Sequence, residues 1–169
     1  MDKYYYLAAQ LPLLDIENTD GVMSKATFLE EAGKWLSKKD YSVLFSVDLD
    51  TFMTDSKHSV FAEFCAFEYS LRSELSKYRR SQKEDFEYKI SMFPMSLIKE
   101  GTPLDAEKKI LKLRWDFLEE KSHGHYSDLD FLIIYFLKLQ IMHRIVSFDA
   151  VKGEEIYRQS CVYKTEEGN

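Results

Sequence analysis

The sequence predicts an all-α fold: a single helical domain of about six helices with a long helical hairpin at its centre. Three observations predict it. Apolar residues recur every three or four positions through each long segment. Residues that break helices are scarce, with six Gly and three Pro in 169 residues. Two of the segments also open on recognisable start signals. The chain is 45% hydrophobic, enough to bury a core within one domain over 1–164. Its aromatic share of 15%, with twelve Phe and eleven Tyr, suggests that some rings meet a partner as well as the core.

The amino end reads "MDKYYYLAAQLPLL". As a helix it places Tyr4, Leu7, Ala8 and Leu11 on one face before Pro12; as a strand it alternates Tyr4, Tyr6 and Ala8 with Tyr5, Leu7 and Ala9. Periodicity leaves both open. Helix is favoured, because a lone strand in a helical chain has nothing to pair with. Two shorter helices follow: "SKATFLEEAGKWL" aligns Phe28, Ala32 and Leu36, and Ser37 with Asp40 caps "YSVLFSV".

"SVFAEFCAFEYSLRSELSKYRR" is a long helix with Val60, Phe64, Phe67, Leu71, Leu75 and Tyr78 on one stripe. Between about 82 and 101 the periodicity fails, and "MFPMSLIKEG" mixes apolar residues with breakers; the expectation is a long irregular loop that docks on a partner or hides a short helix. "GTPLDAEKKILKLRWDFLEEKSHG" then carries Thr102 as cap, Pro103 at the first helical position, Asp105 in the first turn and Gly124 as the stop. Its expected inward face is Ala106, Ile110, Leu113 and Phe117. The short "HGHY" connection predicts an antiparallel hairpin with the next helix. Ser127 and Asp130 give that helix a capping-box-like start, and Phe131, Ile134, Leu137, Ile141, Ile145 and Phe148 recur along it. It is apolar over most of its girth and belongs at the centre. Residues 165–169 are expected to form a frayed tail.

Composition excludes some functions. A net charge of −6 and the lack of a basic stripe argue against nucleic acid binding. "FLIIYFL" spans seven residues, against about 20 for a bilayer crossing, and no secretory signal opens the sequence. Cys65 and Cys161 are too few for a disulfide framework, which suits a reducing cytoplasm. Cys65 falls near the apolar stripe of its helix and is expected to be buried and inert.

Three polar constellations stand out. Glu68, Arg72 and Arg79 can share one helix face, either as a solvated ion pair or as a buried or interfacial network. His123, His125, Asp128 and Asp130 lie within eight residues and could hold a metal, although a loop with a capping carboxylate explains them as well. Trp115 beside Arg114 reads as core packing next to a surface charge. No phosphate-binding glycine loop or nucleophile elbow is present, so the residues predict neither catalysis nor a cofactor.

"KYYYLAAQLP", "EYSLRSELSKYR" and the block from "PLDAEKKILKLRW" through "GHY", "DFLI" and "LKLQI" together resemble an uncharacterised bacterial family encoded in V-type (A/V-type) ATP synthase operons. The last block is the most specific, and the resemblance covers most of residues 1–150. That family is in turn distantly similar to the helical, funnel-shaped protein that seats the central shaft of the rotary ATPase on its membrane rotor ring. The funnel protein is about twice as long and built from three similar units, so this chain would match part of it. The resemblance implies an all-helical component or assembly factor, cytoplasmic and peripheral, with central-shaft and rotor-ring subunits as partners. It implies that Tyr4, Tyr5 and Tyr6 pack the first helix into the core, and that Glu68, Arg72 and Arg79 organise the fold or its shaft-facing surface. The specific block adds Arg114, Trp115, His125 and Tyr126 as candidate structural or interaction residues. Two alternatives stay open: a helical adaptor for another complex, and a metal-dependent hydrolase using His123, His125 and Asp128.

Overall fold

The computed structural model describes residues 4–52 and 59–148, together with the isolated positions Glu154 and Arg158. The expected tail, the final stretch of the domain and Cys161 lie outside these residues. Among the described residues the chain is all-helical: α1 (Tyr5–Gln10), α2 (Lys25–Trp35), α3 (Lys38–Phe45), α4 (Ser59–Glu84), α5 (Ser96–Lys99), α6 (Pro103–Ser122) and α7 (Leu129–Val146). Six of these correspond to expected helices. The additional one, α5, is a single turn inside the segment read as a loop. No described helix is long and apolar enough to cross a membrane.

Local chemistry fixes most helix starts. The hydroxyls of Ser24 and Ser37 accept from the N–H of Thr27 at 3.0 Å and of Asp40 at 3.2 Å, capping α2 and α3. At α6, Thr102 caps the helix and Pro103 opens it, as the sequence predicts, and Asp105 adds what the sequence reading did not include, a reciprocal capping box with Thr102. Gly101 makes that box possible: its φ is 99°, and a Cβ there would lie 2.9 Å from an Asp105 carboxylate oxygen. The start of α7 corrects the expectation. Asp128, not Ser127 with Asp130, is the N-cap, and its carboxylate accepts from Phe131 N–H at 2.8 Å. Ser127 lies one residue too early and instead takes up Tyr4 N–H through its carbonyl, at 2.8 Å.

Helix α7 is the hub. Its contacts reach α2, α3, α4 and α6, and residues 132–137 are all buried, so no face is left for solvent over that stretch. Ion pairs Lys138–Glu119 and Arg144–Glu107 run antiparallel along α6 and α7, giving the predicted hairpin. The pairs Lys121–Glu63 and Arg114–Glu68 show that α4 and α6 are antiparallel too. Because α6 lies between two helices, it buries more than one stripe. Leu111, Trp115 and Leu118 face the main core, with the Lys138 ammonium 5.1 Å from the Trp115 ring centroid. Phe117, placed on the inward face by periodicity, is only partly buried and stacks on Phe67 of α4 at 4.4 Å.

Polar groups of α7 also bind the backbone of the amino-terminal third. Tyr135 OH donates to the Pro12 carbonyl at 2.9 Å, and Gln140 donates to Val47 O at 3.1 Å while accepting from Leu49 N–H at 2.9 Å. His143 Nε2 lies 2.9 Å from Met23 O. Burial pushes the Tyr135 phenol up to about 12. The bonds to Val47 and Leu49 satisfy irregular backbone that would otherwise be buried unpaired. A second, smaller core forms where Ile90 and Phe93 fold back onto Leu71, Leu75 and Ile110. Thus the segment read as a loop docks on its own chain.

Candidate functional site

The apolar stripe of α4 contains one charge. Glu68 follows Phe64 by one turn and precedes Leu71, so helical spacing carries it inside, where it is 0% exposed. Arg114 of α6 grips it with Nε 2.5 Å from Oε1 and Nη2 3.2 Å from Oε2. Arg72, four residues on, donates Nε to Oε2 at 3.1 Å, and its Nη2 reaches Asp50 at 3.2 Å. The Arg72 guanidinium also lies over the Phe52 ring, 5.0 Å from its centroid. Asp50, Arg72, Glu68 and Arg114 therefore form one chain of charge across the α4–α6 interface. With three N–H donors on a carboxylate shut away from solvent, this clamp fixes geometry rather than facing a substrate.

Helical spacing places Glu68, Arg72 and Arg79 on one face, and the sequence alone suggests a surface charge at Arg114. The structure corrects this: Arg114 is Glu68's principal partner and its side chain is only 11% exposed. The available signal was Glu68 itself, an acidic residue on a buried stripe that requires a cation from a neighbouring helix. Arg79 is exposed and bonds to neither; it shares only a cavity with Arg72 and Arg114. Trp115 is buried, as expected. One turn before Glu68, Cys65 is buried, and burial together with the Glu68 charge pushes its thiol up, which matches an inert cysteine.

The amino-terminal tyrosines divide. Tyr4 enters the core and its hydroxyl donates to Asp40, tying α1 to α3. Tyr5 and Tyr6 are 64% and 69% exposed, so the expectation that all three anchor the helix holds for Tyr4 alone. A helix of this pitch cannot turn three consecutive residues inward. Tyr6 instead stacks on Trp35 at 5.9 Å, with Tyr5 edge-on at 6.0 Å, and Tyr41 lies against Gly33 and the exposed Phe45. The result is an aromatic surface over α1, α2 and α3.

At the turn between α6 and α7, His125 Nδ1 sits 2.6 Å from Asp128, and the ligand atoms of His125, Asp128 and Asp130 lie within 4.8 Å of one another. His123 turns away, its Nδ1 3.0 Å from Glu120 O, so the expected trio of His123, His125 and Asp128 is not assembled. One imidazole and two carboxylates are a conceivable divalent-cation donor set, but Asp128 already caps α7. Tyr126 and Leu13 project beside a groove of about 410 Å3 next to this turn.

Taken together, these features define an all-α protein whose helices are joined by an internal carboxylate–guanidinium clamp and which presents aromatic rings outward. The chain belongs to the DUF2764 family, described as proteins of unknown function, whose model matches residues 74–168. The match includes Arg79, Arg114, Trp115, His125 and Tyr126 and begins after Glu68 and Arg72. No curated protein and no solved structure matches the chain.

Proposed function

We propose that this chain is a non-enzymatic component or assembly factor of a bacterial V-type ATP synthase, a counterpart of the funnel-shaped protein between the central shaft and the membrane rotor ring. The carrying observation is the exposed aromatic surface of Tyr5, Tyr6, Trp35 and Phe45 on a rigid helical scaffold. Such rings are enriched where proteins meet, because they bury large area with little loss of side-chain freedom. The resemblance of the α6–α7 block to the operon-encoded family supplies the identity of the partner. In this role the protein is cytoplasmic, held at the inner face of the membrane through the complex. The clamped α4–α6 pair provides the stiffness that transmitting torque requires.

The test is to tag the protein in its native host and quantify ATP synthase subunits in gently solubilised membranes. Catalytic, shaft and ring subunits should co-purify in fixed proportion, and a Tyr6→Ser/Trp35→Ser double variant should lose them while keeping its helical signal. Sub-stoichiometric recovery identifies an assembly factor. Recovery of none, or of a different complex, rejects the reading and leaves a helical adaptor. The corner formed by His125, Asp128 and Asp130 motivates a second reading, a metal-dependent hydrolase. It requires stoichiometric metal in the purified protein that disappears in His125→Ala.

A further inference from the structure

We propose that a half-open recess between α4, α6 and α7, lined by four arginines and by the carboxylates of Asp50 and Glu107, binds a phosphate-class oxyanion, free or as the terminal group of a small molecule. Arg72 and Arg79 of α4, Arg114 of α6 and Arg144 of α7 converge on a recess of about 240 Å3. Three carboxylates answer these four cations. Glu68, beneath the recess, holds Arg72 and Arg114; Asp50 takes a second contact from Arg72; Glu107 accepts from Arg144 at 2.9 Å. Arg79 makes no hydrogen bond or ion pair among the described residues. The recess therefore carries one positive charge more than it neutralises, within a chain whose net charge is −6.

Glu68, Asp50 and Glu107 already offset most of the repulsion among these guanidiniums, and a bound anion would neutralise the one charge they leave unanswered. Each guanidinium presents five donors in a plane that matches the oxygens of a phosphoryl group. Those of Arg72 and Arg114 are already oriented by Glu68, so little side-chain freedom remains to be lost on binding. Leu75 and Ile110 line the same recess, and apolar walls concentrate its field. Its volume falls below the roughly 300–1,000 Å3 that encloses a drug-sized ligand, which favours a compact anion. Convergence from three helices into a hollow also suits a small ion better than an acidic segment of a partner protein, which would read arginines along an open strip.

Isothermal titration of the full chain with inorganic phosphate, pyrophosphate and ATP tests this, with a hexaglutamate peptide as the competing chemistry. Saturable binding is expected, weakened about tenfold or more in Arg79→Ala and abolished in Arg79→Ala/Arg144→Ala, with Lys34→Ala unchanged. Phosphate binding as tightly as the others identifies the free ion as ligand; tighter pyrophosphate or ATP identifies a terminal group. Arg79 has no partner among the described residues to lose, so Arg79→Ala should melt with the parent. The proposal is overturned if none of the three anions binds, if Arg79→Ala binds unchanged, or if hexaglutamate alone binds. The isolated chain suffices for the titration, so its outcome is independent of the ATP synthase reading.

Discussion

Glu68 occupies a place on α4 where periodicity calls for an aliphatic side chain, and the two guanidiniums that meet it make the exception stable. Removing one member of a buried charge network leaves the others desolvated and unanswered. Glu68→Ala should therefore cost about 3–5 kcal/mol, whereas Arg79→Ala should stay within about 0.5 kcal/mol; urea denaturation followed by circular dichroism separates the two. Equal losses would mean that the clamp contributes no more than a surface charge. Spacing made Glu68 and Arg72 legible as a pair, because residues four apart in a helix must be neighbours. Arg114 was not legible. It lies 46 positions from Glu68, and only the packing of α6 against α4 brings them together. The tyrosines teach the same lesson in reverse, since a run of three rings reads alike until the helix phase sends Tyr4 inward and Tyr5 and Tyr6 outward.

Among the elements, the segment 85–101 holds the short helix that the expected loop was said to hide, α5, and the rest of it packs on its own chain. Its apolar residues have no helical period because they do not lie on one face of a helix; they plug a gap beside α4 and α6 as extended chain and a single turn. Glu74 staples this segment to α4, accepting from Tyr88 OH at 2.8 Å and Ser91 N–H at 3.2 Å. The Tyr88 hydrogen bond, followed by that of Ser91, holds the Glu74 carboxyl below its ordinary value of 4.5. A lowered carboxyl value means that the folded state gains stability above the unfolded value and loses it as pH falls through the folded one. Asp105 in the α6 capping box is lowered for the same kind of reason, first by the Thr102 N–H and then by its hydroxyl. Acidification below about pH 4.5 should thus open the smaller core while α7 remains protected. Hydrogen exchange at Ser91, Leu97 and Ile98, whose amides are hydrogen-bonded in this segment, checks this, and Glu74→Gln should weaken the smaller core at neutral pH and flatten its acid dependence. An unchanged acid transition in that variant would show that the staple is not the titrating group.

At the scale of the whole molecule, stability centres on α7, whose nearly all-apolar girth identified it from sequence as the central helix. Phe28 of α2 stacks on both Tyr135 and Phe136, at 5.4 and 5.2 Å, and is fully buried. Phe28→Ala should cost about 3–5 kcal/mol and speed exchange throughout α7, as measured by global unfolding and amide exchange together. Loss confined to α2 would instead mean that the amino-terminal helices form a separable unit. The helix inventory was readable because capping residues and apolar spacing act locally. The order of packing was not, since it depends on polar anchors such as Gln140 and His143 whose partners are 91 to 120 residues away.

Those anchors have a bearing on biosynthesis. Tyr4, Pro12, Met23, Val47 and Leu49 all have backbone groups bonded to Ser127 or to α7, so α1 to α3 depend on a helix that is made much later than they are. On the ribosome these three helices must wait, with Phe28 and Leu44 uncovered, until α7 emerges and can seat them. The native state is reached only after α7 has left the exit tunnel, and until then the amino-terminal third keeps apolar surface uncovered.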